Sequence, residues 1–275
     1  MKYLSIPQGN LVTGWVVCRF LSVNQGSLES DVIRELRPNW VVDGEATGIS
    51  ASIKISLDLE LLNQTEDQID SPLSLSDVLA NDREWIDNFN QFARHVRMNL
   101  VKQSKDADAS DIAIATRWLV GRDWRVPQDP VGRKDNAPDD AVVNTTQETA
   151  FRRWCVELGY ARVSKAGGVS PDPTVAIETD LSRVRGKSFN AREFFEYLNQ
   201  SVPVTDRQIS SGETGETSRF SQEILFPSVG YALRRLEFRN VIRMSISDDS
   251  HERLIFRPFG PESGFIEFTR VEVFL

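Results

Sequence analysis

Histidine and cysteine are nearly absent from this sequence, with two of each in 275 residues. That scarcity removes most of the ligands a zinc site needs. His95 and His251 have no Cys or His at ligand spacing, so no metal site is predicted. Cys18 and Cys155 each fall inside an apolar helical pattern and read as reduced core thiols, as in a cytoplasmic protein. Long apolar runs are also missing: none approaches the roughly 20 residues that span a bilayer. The opening residues, Met1 to Pro7, lack the apolar core and cleavage site of a secretion signal. A cytoplasmic chain with no membrane contact is therefore expected.

The motifs of catalysis are equally scarce. There is no Gly-x-Ser-x-Gly elbow. Gly167-Gly168 lacks the Lys that a phosphate loop places after its last Gly, and reads as a surface turn. Asp106, Asp108 and Asp111 flank a helix start, where acids favour the positive end of the macrodipole. Asp139-Asp140 lies in a polar loop, and neither cluster joins the strand-borne acids and Lys of a restriction-type nuclease. No catalytic residue, cofactor or enzymatic activity is predicted.

What the chain does have is patterned helix. In the first 72 residues, Val12, Trp15, Val16, Arg19 and Phe20 follow a helical period. Ser27-Leu28-Glu29-Ser30 reads as the capped start of a second helix running to Leu36. Ile49, Ile53 and Leu57 fit a third helix ending near Asp58, although the alternation from Ile49 to Leu61 also fits a strand. A hairpin through Leu61-Leu62 and Gln68-Ile69 would follow. Residues 76–121 carry helical stripes, through Val78, Trp85, Phe89, Phe92, Val96 and Leu100, then Ile112, Ala115, Trp118 and Leu119. A further helix, Thr146 to Leu158, buries Ala150, Phe151, Trp154 and Val156 and stops at Gly159. Asp172-Pro173-Thr174 is a start signal, with Asp as the cap, for a helix to about Val184. Ala191 to Asn199 forms another, with Phe194, Phe195 and Leu198 inward. The polar run 210–218 reads as a loop.

The last segment carries the strongest signal. Val229, Leu233 and Leu236 share one face of a helix whose flank holds Arg234, Arg235 and Arg239. Ile242 to Ile246, a polar turn through His251, and Leu254 to Arg257 read as a following hairpin, with Arg243 and Arg253 at its wing. The net charge of −8 counts against a protein that coats nucleic acid indiscriminately. Residues 219–275 balance eight arginines against eight acids, yet four of those arginines fall between 234 and 243. Arg grips phosphate as a fork and reads guanine in the major groove, which makes Arg234, Arg235, Arg239, Arg243 and Arg253 the candidate DNA-binding residues. A solvated face paired with Glu237 and Glu252 is the competing account. Arg152 and Arg153, beside Trp154, read as a surface or subunit contact. The predicted fold is mainly α with small β-hairpins. Winged-helix modules at 1–72 and 186–275 are joined by a helical middle, 73–185.

Several of these segments resemble the DpdG-like proteins of bacterial DNA-modification and anti-phage systems. The resemblance is carried by Phe151-Arg152-Arg153-Trp154-Cys155-Val156-Glu157-Leu158-Gly159-Tyr160-Ala161 and by Pro171-Asp172-Pro173-Thr174-Val175-Ala176-Ile177. Ala191-Arg192-Glu193-Phe194-Phe195 with Val202-Pro203-Val204, and Ala232 to Glu237 before Val241-Ile242-Arg243, extend it. The resemblance implies a non-catalytic subunit of a defence or DNA-modification complex. Its expected partners are other protein subunits, such as an ATPase, helicase or nuclease, and duplex DNA. Two alternatives stand beside it: a dimeric winged-helix transcriptional regulator, and an adaptor that holds an ATPase or nuclease without touching DNA.

Overall fold

The computed structural model describes residues 2–6, 8–37, 47–70, 88–103, 109–129, 142–165, 168–205, 222–247, 252–257 and 264–275. The readings at Val78, Trp85, Asp106, Asp108, Asp139, Asp140, Gly167, His251 and 210–218 lie outside the described residues. Helices outweigh strands, and the sheets are small and mainly antiparallel. The chain divides into two compact units, residues 1–115 with 129–158, and residues 116–128 with 159–275. Residues 73–185 are thus divided between the two units.

In the first unit, α1 (Leu11–Leu21) starts at Asn10, whose side chain accepts the Thr13 amide proton. Its buried face is Leu11, Gly14, Val17, Cys18 and Leu21, while Val12 and Val16 stay exposed, contrary to the face read from periodicity. α1 is apolar on both sides, and Gly14 decides between them. A Cβ there would sit 3.2 Å from the Ser56 hydroxyl of α3 (Thr47–Asp58), so the missing side chain permits close helix packing. The predicted cap at Ser27 is replaced by a strand, β1 (Ser27–Leu28), with the Ser27 hydroxyl donating to the Asn24 carbonyl at 2.7 Å. α2 (Glu29–Leu36) follows. The alternating segment resolves as helix α3. It stops where Glu60 turns to φ 57° and the Glu60 and Leu61 amides donate back to the Leu57 and Ser56 carbonyls. The hairpin β2 (Asn63–Thr65) and β3 (Gln68–Asp70) comes next, and β1 joins it in the order β1-β3-β2. Helices α4 (Phe89–Gln103) and α6 (Thr145–Glu157) pack on α1, burying Phe92, Val96, Leu100, Phe151 and Trp154. Between them in sequence, α5 (Asp111–Val120) runs through the division at residue 115.

The second unit opens with the hairpin β4 (Ala161–Val163) and β5 (Val169–Pro171), then α7 (Thr174–Ser182), β6 (Ser188–Asn190) and α8 (Ala191–Leu198). Asn190 and Glu193 close a capping box at the start of α8. β7 (Gln222–Ile224) precedes α9 (Pro227–Phe238), which has Pro in its first turn and buries Val229, Leu233 and Leu236 as read from the sequence. α9 stops as α3 does: Asn240 lies at φ 57°, and the Asn240 and Val241 amides return to the Glu237 and Leu236 carbonyls.

β8 (Ile242–Ser245) and β9 (Arg253–Phe256) do not form the expected hairpin. β8 pairs with β11 (Arg270–Val273), in a sheet ordered β6-β11-β8, where Ile242, Val271 and Val273 are buried. β9 lies between β10 (Ile266–Phe268) and β7. Leu254, Ile255 and Phe256 are all buried, so both faces of β9 are covered, which suits a central strand and not a solvated wing. With β7 and the pair β9 and β10 set aside, α7, β6, α8, α9, β8 and β11 repeat the element order of α1, β1, α2, α3, β2 and β3. The strand order also repeats, first strand beside third and third beside second.

Candidate nucleic-acid interface

Burial of Val229, Leu233 and Leu236 turns Arg234, Arg235 and Phe238 of α9, and Arg239 at its C-cap, toward the surface. Phe238 is 90% exposed. The three arginines do not stand as a bare comb of cations. Arg234 is hydrogen-bonded one turn along to Glu237. Arg239 forms a two-pronged contact to Glu178 of α7, at 2.8 and 2.7 Å, and that carboxylate tightens the hold of Arg239 on its proton. Arg235 reaches back to Asp172, just ahead of α7.

Asp172 organises a small cluster. Its carboxylate is buried, accepts hydrogen bonds from the Thr174 amide and hydroxyl, and has the Arg162 guanidinium 3.7 Å away. It therefore serves Arg235 and Arg162; Pro173, not Asp172, occupies the N-cap position of α7. Two guanidiniums share one carboxylate, which leaves a local excess of one positive charge. Arg235 also lies over the Tyr231 ring at 5.6 Å, and Tyr231 stacks on Trp124 with centroids 3.8 Å apart. The row fixes the guanidinium plane by cation–π and ring contacts.

The two remaining candidates are separated. Arg243, on β8, packs over Phe274 at 5.4 Å. Arg253, on β9, belongs to the other sheet and bonds Glu267 of β10 at 2.9 Å. A β8–β9 hairpin would bring Arg253 beside Arg243. The observed pairing of β8 with β11 separates them. Glu237 is the partner that sequence reading identified, but Asp172, Glu178 and Glu267 were missed. Asp172 and Glu178 are about 60 residues from their arginines, at a separation that leaves no local signature.

Sequence reading also passed over Arg183-Val184-Arg185-Gly186-Lys187, three cations in five residues between α7 and β6. All three are exposed, and Val184 between them is buried.

In the first unit the corresponding elements have a different charge. α3 carries Lys54 and no arginine, and the β2–β3 turn is Glu66-Asp67. Arg152 bonds Glu148 one turn before it, and Arg153 donates to the Gly9 carbonyl at 2.7 Å. Cys18 and Cys155 are buried free thiols, and burial pushes the Cys18 thiol up to about 12. Among the described residues no group of three or more His, Cys, Asp and Glu is placed to hold a metal. No described helix is long and apolar enough to cross a membrane.

A family model described as DpdG-like matches residues 1–250. No curated protein and no solved structure matches the chain.

Proposed function

The chain belongs to the DpdG-like family, whose setting is a DNA-modification system of several proteins; on that premise we propose that it is a non-catalytic winged-helix subunit that contacts duplex DNA. The observation that carries this reading is the repeated element order. Helix, strand, helix, helix and two paired strands, with the first strand added beside the last, is the order expected of a winged helix, and its occurrence in both units supports that reading. On that reading α9 is the helix that would enter a DNA groove. Arg234, Arg235 and Arg239 lie along its flank, half-exposed, with Arg243 on the next strand. The ion pairs of Arg234 and Arg239 are of the exposed kind, worth roughly 0 to 1 kcal/mol each, which phosphate can replace, whereas Arg235 is held by the buried Asp172.

The first unit supports a second role within the same subunit. An α3 with one lysine and a hairpin turn of two acids are poorly suited to phosphate, and they suit a protein partner. DNA contact is thus assigned to residues 159–275 and scaffolding to residues 1–115.

The test is binding of the full chain to labelled duplex DNA across a salt series. The expected result is salt-dependent binding that weakens in Arg234→Ala/Arg239→Ala. No affinity at low salt, together with retention of the other proteins of the system, would replace this reading with the adaptor.

A further inference from the structure

The arginines of α9 can hold DNA only by giving up carboxylates they already hold. The turn between α7 and β6 carries no such cost at Arg185 and Lys187. Among the described residues neither lies within ion-pair distance of a carboxylate, and both are exposed. The nearby acids are otherwise engaged. Glu178 is held by Arg239, and Asp180 is buried and accepts the Ser201 hydroxyl. Glu272, which pairs in register with Ser188 and Arg243, lies 3.8 Å from the Arg270 guanidinium.

The backbone of the turn is fixed at both ends. The Arg183 and Val184 amides donate to the Asp180 and Leu181 carbonyls, and the Lys187 amide donates to Val184. The Gly186 amide donates to the Val273 carbonyl at 2.9 Å, and the Val273 amide returns to the Lys187 carbonyl at 2.9 Å. Val184, 8% exposed, anchors the turn to the unit beneath it. Gly186 adopts φ 74°, and a Cβ there would meet nothing within 4 Å, so the space above the turn is open. A rigid loop that presents cations into open space fits a polyanion, because little backbone order is lost on contact. The C-terminal strand β11 ties this turn to the start of β8, and therefore to Arg243.

We propose that the turn Arg183-Val184-Arg185-Gly186-Lys187 grips the phosphate backbone of duplex DNA. It reads no sequence; it sets the register from which α9 approaches the groove. The inference rests on the DNA-contacting reading above, and the following experiment separates the two. Binding of the full chain to two duplexes of unrelated sequence is measured across a salt series. Each lost phosphate contact lowers the slope of log K against log salt by about 0.9 on B-form DNA. Arg185→Ala/Lys187→Ala is expected to lower the slope by about 2 and to weaken both duplexes alike. Arg185→Gln/Lys187→Gln should do the same with less change in volume, and Arg185→Lys/Lys187→Arg should retain the wild-type slope. A wild-type slope in the two neutral variants would overturn the assignment of the turn while leaving DNA contact intact. Absence of binding by the wild-type chain at low salt would overturn the DNA reading itself.

Discussion

Asp111 shows how single residues in this protein are balanced. Its carboxylate accepts the Tyr3 amide at 2.7 Å, the Leu4 amide at 3.0 Å and the Ile112 amide at 2.8 Å. Those bonds favour the charged form, but burial outweighs them and raises its pKa above the ordinary value. A group whose folded pKa is raised contributes stability that is full below its unfolded pKa, near 4, and lost as pH climbs through the folded value. Glu157, raised by burial although it accepts the Leu11 amide, acts in the same direction. Melting temperatures of the wild type and Asp111→Asn, followed from pH 7 down to about 4, should show the wild type gaining on the variant as pH falls. A gap that moves the other way would mean that the three amide bonds dominate. The role of this residue was half legible: its place at a helix start was read from the sequence, but the amides of Tyr3 and Leu4, over 100 residues away, were not.

Between elements, α9 fits closely on β9. A Cβ on Gly230 would lie 2.4, 2.6 and 2.7 Å from three carbons of Phe256, which is fully buried and has no room to withdraw. Gly230→Ala gains up to about 1 kcal/mol in helix propensity, but overpacking of this kind costs about 1 to 3 kcal/mol. Chemical denaturation should show net destabilisation; a variant as stable as the wild type would mean that the ring shifts freely. Helices were largely legible in the sequence, since Val229, Leu233 and Leu236, and likewise Phe194, Phe195 and Leu198, mark one face each. Strands were not. β11 carries a short alternation through Val271 and Val273, but nothing local says that its neighbours are 188–190 and 242–245. Where a helix is apolar on two sides, as α1 is, the buried side was fixed by a glycine facing another helix, a contact invisible to periodicity.

At the scale of the whole molecule, an acidic chain with a net charge of −8 is a poor general ligand for nucleic acid, so the contact proposed above is a local one. The two units share an element order but divide the charge: arginines on α9 and a basic turn at 183–187 in the second, a nearly neutral α3 and an acidic turn in the first. The candidate arginines were legible as residues, because four of the five fall between 234 and 243. Their partners were not, because Asp172 and Glu178 come from a separate stretch of chain. The measurement that bears most directly on this account is photo-cross-linking of the full chain to a duplex carrying 4-thiothymidine, with cross-linked peptides mapped by mass spectrometry. Cross-links are expected in peptides spanning 183–187 and 227–245. Cross-links confined to residues 1–115, or none under conditions where the chain retains its protein partners, would contradict it.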